Sequence, residues 1–123
     1  MINKYCIPGL FIFLSLFCFG QRANGNDVDS LKRLLNTTVH DTARVNLLNE
    51  LSKLYFNDNP DTAIIIASSS RKLAEQINFK TGLALAIKNM GIGYYLQGKY
   101  KDAVINWQQA LDSMKRDGSF ALI

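Results

Sequence analysis

Two patterns of apolar residues divide the chain. From Tyr5 to Phe19 the apolar run is broken only by Pro8, Gly9 and Ser15. Beyond Ser30 apolar positions recur every three or four residues, the spacing that gathers them on one face of a helix. Leu31, Leu34 and Leu35 predict a short helix over Leu31–Asn36, capped by Asp29 or Ser30. Leu48, Leu51 and Tyr55, with the small Ser52 between them, predict a helix from Ala43 to Phe56 after a start signal at Asp41-Thr42. Asn57-Asp58-Asn59-Pro60-Asp61 breaks it, because proline cannot continue a helix and the Asn and Asp side chains satisfy local backbone groups. Asp61 or Asn59 caps the next predicted helix, Thr62 to about Ile77. A turn over Asn78 to Gly82, a helix from Leu83 to Leu96, a break at Gln97-Gly98-Lys99 and a helix from Tyr100 to Lys115 complete the reading. No stretch alternates with period two for long enough to make a strand. The expected fold class is all-α, built of antiparallel helix pairs joined by short turns.

The helices repeat. Leu48, Leu51, Ser52 and Tyr55 recur as Ile87, Met90, Gly91 and Tyr94, and Ala63, Ile64, Ala67 and Ser70 recur as Ala103, Val104, Trp107 and Ala110. The second offset is longer than the first by a single position, and the difference falls between the two groups, so the turn at Asn57–Asp61 is expected to be shorter than the one at Leu96–Lys101. A helix pair that cannot bury its face alone stacks on a copy of itself, the logic of an α-solenoid.

The second copy resembles a tetratricopeptide repeat. The residues that carry the resemblance are Ile87, Met90-Gly91, Tyr94, Gly98-Lys99-Tyr100, Ala103, Trp107 and Ala110-Leu111, about ten positions over roughly 28 residues. Gly91 and Ala103 are small enough for two helices to approach closely, and Tyr94 and Trp107 fill the space around that contact. The first copy is degenerate: Ser52 stands for the glycine, Ala67 for the aromatic and Ser70-Arg71 for Ala-Leu. Ser119-Phe120-Ala121-Leu122-Ile123 resembles the opening of a third repeat. The resemblance thus implies a capping helix and turn over 29–40, repeats over 41–78 and 79–116, and a truncated start at 117–123. Since such arrays need about three repeats and end in a polar cap, the sequence is expected to be part of a longer protein.

The N-terminal run changes the composition arithmetic. Lys4, the apolar stretch Tyr5–Phe19 and the small-x-small triplet Cys18-Phe19-Gly20 follow the order of a secretory signal peptide over residues 1–20. At 15 residues the run falls short of the roughly 20 a membrane-spanning helix needs. Cleavage near Gly20 leaves 103 residues of the 123, a polar linker over 21–28, no cysteine, and 13 Lys/Arg against 10 Asp/Glu, a net charge of +3. A disulfide scaffold, a thiol nucleophile and a cysteine-ligated metal are excluded from the mature chain. The expected location is periplasmic or extracellular, with no membrane insertion after cleavage unless a transmembrane helix follows in a longer parent.

Catalytic devices are not written in the sequence. His40 lies in a turn, with no second histidine or HExxH spacing to build a metal site. Gly91-Ile92-Gly93 sits inside a helical pattern, without the strand that a phosphate-binding glycine loop requires. Ser68-Ser69-Ser70 has no partnered base. Lys and Arg are dispersed, which argues against nucleic acid. No catalytic residue, cofactor or metal is expected. The resemblance implies that the first helices of successive pairs line a groove, bringing Asn49, Lys53 and Phe56 beside Lys88, Ile92 and Tyr95. Such a groove suits a protein or peptide ligand, held by aromatic anchors and oriented by polar groups. The expected function is non-catalytic protein or peptide binding. An alternative expectation comes from likeness to the exported sensory regions of bacterial histidine kinases and nucleotide cyclases, whose enzymatic part would lie beyond Ile123.

Overall fold

The computed structural model describes residues 28–116, and all five elements in it are helices: α1 (Val28–Thr37), α2 (Asp41–Leu54), α3 (Pro60–Gln76), α4 (Lys80–Leu96) and α5 (Tyr100–Arg116). The expected signal peptide, all of the linker but Val28, and the third-repeat start at 117–123 lie outside the described residues. The all-α architecture of antiparallel, stacked helix pairs is present. Facing residues fix the direction: Ser52 near the end of α2 meets Ala63 near the start of α3, while Val45 near the start of α2 meets Ser70 in the later half of α3. In the second pair the Gly91 position faces Ala103 and Trp107. α4 packs against α3, against α5 and against α2, so the second pair leans on both helices of the first.

The breakers act where elementary backbone chemistry puts them, with local adjustments. Asn59 caps α3 by accepting the Thr62 N–H on Oδ1 at 3.1 Å, and Pro60 occupies the first turn, where no intrahelical donor is lost. Asp29 and Ser30 are no caps; both lie inside α1, which begins at Val28. Gly82 is not in a turn either. It is buried in the first turns of α4, and a Cβ there would strike the Phe79 ring and Val45, so it is small because the backbone of α4 passes close to α2. The turn proper is Ile77–Phe79, with Asn78 in the left-handed region at φ 56°. The one-residue deficit of the first copy is not a shorter turn. α2 stops at Leu54 and leaves five residues, Tyr55–Asn59, before α3, whereas three, Gln97–Lys99, separate α4 from α5. Asn57, Asp58 and Asn59 end the first helix early, and its missing turn more than absorbs the difference.

The core is made of small side chains. Seven of the thirteen buried apolar residues are alanines, and Val45 is the largest apolar side chain with essentially no exposure. Helix backbones therefore approach closely, and hydroxyl and amide groups reach across to facing carbonyls. Ser52 Oγ donates to Ala63 O at 2.8 Å, and Ser70 Oγ lies 2.7 Å from Asn49 Oδ1 and 3.2 Å from Val45 O. Asn49 Nδ2 donates to Gly82 O at 3.2 Å, and Asn89 Nδ2 to Asn49 O at 3.0 Å. Each such bond nets only about 0.5–1.5 kcal/mol, but a slipped helix would strand buried polar groups, so the network fixes the register of α2 on α3 and on α4. Gln97 Nε2 also donates to Asp61 Oδ1, linking the α4–α5 turn to the start of α3. At the other end Arg44 Nη1 donates to Leu35 O at 2.9 Å and so pins α1 onto the first pair.

Candidate functional site

α3 and α5 are each 17 residues long, and Pro60 and Tyr100 open them at the same point of the repeat, so the two pairs can be compared position by position. The outer face of the first pair holds α4: Val45 lies against Gly82, Asn49 binds the Gly82 carbonyl, and Ile64 packs against Gly93. The repeat places Lys88 at the position of Asn49, and Val104, Trp107, Ala110, Leu111 and Met114 at those of Ile64, Ala67, Ser70, Arg71 and Ala74. Lys88, Ile92, Trp107, Ala110, Leu111 and Met114 line a cleft of about 430 Å³ on the second pair. Of the first-pair residues that receive α4, Asn49 has its counterpart, Lys88, in the cleft wall, while that of Ile64, Val104, is exposed on α5.

Why the sequence builds a cleft here follows from Gly91. A Cβ at this position would fall 2.5 Å from the Trp107 ring and 3.2 Å from Ala103 O, so glycine lets the indole come up against α4. Trp107 Nε1 then donates to Lys88 O at 3.3 Å, which fixes the ring at the cleft wall. Tyr95 continues the surface: its ring centroid lies 5.9 Å from that of Trp107 and 5.4 Å from that of Tyr100, tilted in both cases, as aromatic quadrupoles favour. Tyr95 is 51% exposed, Tyr100 62% and Val104 55%, large apolar side chains held in place but open to solvent. Along α5 the series Tyr100, Val104, Trp107, Leu111, Met114 has spacings of four, three, four and three, one continuous helix stripe of about 21 Å.

The six expected groove residues divide. Lys88 and Ile92 line the cleft and Tyr95 adjoins it through Trp107. Lys53 is exposed and pairs with Glu50 at 3.1 Å, and Phe56 is half-buried in the turn after α2. Asn49 is a correction: it is 4% exposed and occupied by Gly82, Ser70 and the α4 backbone, so no ligand can reach it in this fold. Its register position is a contact between repeats wherever a helix covers it. The α5 contribution was absent from the expectation, which took the groove from first helices alone; the four-three spacing of Tyr100 to Met114 was the available signal.

Charge separates the two halves as well. Over residues 28–76 six basic side chains (Lys32, Arg33, Arg44, Lys53, Arg71, Lys72) balance six acidic ones (Asp29, Asp41, Glu50, Asp58, Asp61, Glu75). Over 80–116 six basic side chains (Lys80, Lys88, Lys99, Lys101, Lys115, Arg116) face only Asp102 and Asp112, and α4 carries no carboxylate. Among the described residues no group of three or more His, Cys, Asp or Glu could hold a metal ion, and no helix is long and apolar enough to cross a membrane. His40 is exposed ahead of α2 and makes no side-chain cap, Gly91 and Gly93 are buried within α4, and Ser70 is committed to Asn49 and Val45. No family model, no curated protein and no solved structure matches the chain.

Proposed function

We propose that the chain is a non-catalytic, exported helical-repeat module of the tetratricopeptide type that binds a protein or peptide segment. The observation that carries the reading is the solvent-open aromatic cluster where α4 meets α5: Tyr95 packs on both Tyr100 and Trp107 at the surface instead of entering the core. Rigid aromatic side chains lose little entropy on binding and supply large contact areas, the usual anchors of a recognition surface. An amphipathic segment laid along the groove between α4 and α5 would meet apolar side chains every turn. The excess of four positive charges in this half favours a segment with acidic residues beside its apolar ones, through steering and register more than through raw affinity.

The test is selection from a displayed random-peptide library, followed by calorimetric titration of a selected peptide. Tyr100→Ala and Val104→Asp alter exposed side chains and leave the helix contacts intact, and each is expected to weaken binding roughly tenfold or more. Selected peptides that bind both variants as tightly as the parent would overturn the assignment of the face.

A further inference from the structure

The second helices of the two pairs share a face that belongs neither to the core nor to the contact between pairs. Ile65 on α3 and Ile105 on α5 hold the same repeat position and are 65% and 54% exposed. Ile65 stays open although α4 and α5 are stacked after α3, so the stacking of successive pairs does not cover this position. A single exposed isoleucine is ordinary, but these two are framed by charges whose sign inverts between the copies. On α3, Asp61 lies four residues before Ile65 and Lys72 seven after it; on α5, Lys101 and Asp112 hold those positions with the signs exchanged. Such spacings keep each trio within about 40° of one line along its helix, about 16 Å long. The exposed positions between are uncharged, Ser68 and Ser69 on α3 and Gln108 and Gln109 on α5. All four charged side chains are exposed, and no ion pair among the described residues engages any of them; Asp61 accepts a hydrogen bond from Gln97 Nε2.

From this pattern we infer that the outer face of α3 and α5 binds a second copy of the chain. A two-fold axis running along the helices lays α3 of one protomer over α5 of its partner, pointing the same way, and every contact then occurs twice. Ile65 meets the partner's Ile105, Asp61 meets the partner's Lys101, and Lys72 meets the partner's Asp112. The exchange of signs between the copies makes the surface complementary to itself. Were α5 to carry the pattern of α3, the same arrangement would set aspartate against aspartate and lysine against lysine, which opposes association. Apolar contact at the centre and opposite charges toward the ends fix the register of the two helices. The inference does not rest on what the aromatic cluster of Tyr95, Tyr100 and Trp107 binds.

Sedimentation equilibrium of the full chain tests the assignment, with helical circular dichroism as the check that each variant folds. The parent is expected to form a dimer as concentration rises, and Ile65→Asp to raise the dissociation constant at least about tenfold. Lys72→Asp and Asp112→Lys each set like charges together at both contacts, and each is expected to weaken the dimer about tenfold. Combining the two restores opposite charges, so the double variant is expected to return to within about twofold of the parent. A monomer at every concentration up to about 1 mM would overturn the inference. So would an assembly that grows past two chains, a dimer indifferent to Ile65→Asp, or a double variant weakened by as much as its two single changes added together.

Discussion

The two helix pairs solve one packing problem in opposite ways. Pair one brings α2 and α3 together over Ser52, whose hydroxyl finds the Ala63 carbonyl, and spends its outer face on α4 through the buried amide of Asn49. Pair two brings α4 and α5 together over Gly91, with an indole where pair one has Ala67, and turns outward a lysine where pair one has Asn49. A position that is covered needs a neutral group whose donors and acceptors are all met, and a position beside an open cleft can carry an ammonium in water. The residue type at one register position therefore records whether a helix lies on it.

Exchanging residues between the pairs tests that rule. Asn49→Lys puts a charge under α4, where it must desolvate or push the helix away, and is expected to cost about 3 kcal/mol by urea denaturation. The reciprocal Lys88→Asn is expected to change stability by no more than about 0.5 kcal/mol, as exposed substitutions do. Similar costs at both sites would break the comparison. Gly91→Ser installs the first pair's small polar residue in the second. Its Cβ meets the Trp107 ring and Ala103 O, so a loss of about 2 kcal/mol is expected, with Trp107 emission shifted as the indole is displaced. Asn59→Ala removes the cap of α3, which α5 has no counterpart for among its described bonds, and is expected to lower stability by about 1 kcal/mol in the same assay. Smallest of all, Lys53→Ala breaks an exposed pair with Glu50 and should move the thermal midpoint by less than the scatter between preparations, since such pairs contribute about 0–1 kcal/mol.

Much of the helical layout was legible because the signals are local. Pro60 and Asn59, Gln97-Gly98 and the three-four spacing of apolar residues act within a turn or two, and each boundary fell within a few residues of its expectation. Gly82 and Asn49 were misread for one shared reason. Both owe their identity to a helix that is distant in sequence: Gly82 is small because α2 lies against it, and Asn49 is an amide because the Gly82 carbonyl lies above it. Glycine reads locally as a turn and asparagine as a surface residue; only tertiary packing reverses both. Val45, fully buried against α4, was outside the expected apolar stripe of its helix for the same reason. Of the groove residues that the resemblance implies, Lys88 and Ile92 line the cleft and Tyr95 adjoins it through Trp107. Trp107, Leu111 and Met114 are missing from the expected groove, because the resemblance points to first helices and gives Trp107 the role of filling space around Gly91.

The most direct test of the account is amide hydrogen exchange of the full chain with and without a library-selected peptide. Protection should rise from Ile92 through Leu96 and from Tyr100 through Leu111, while α1, α2 and α3 keep their exchange rates. Protection that rises on α2 or α3 instead, or on no helix at all, would contradict the claim that the open face of the second pair is where this protein binds.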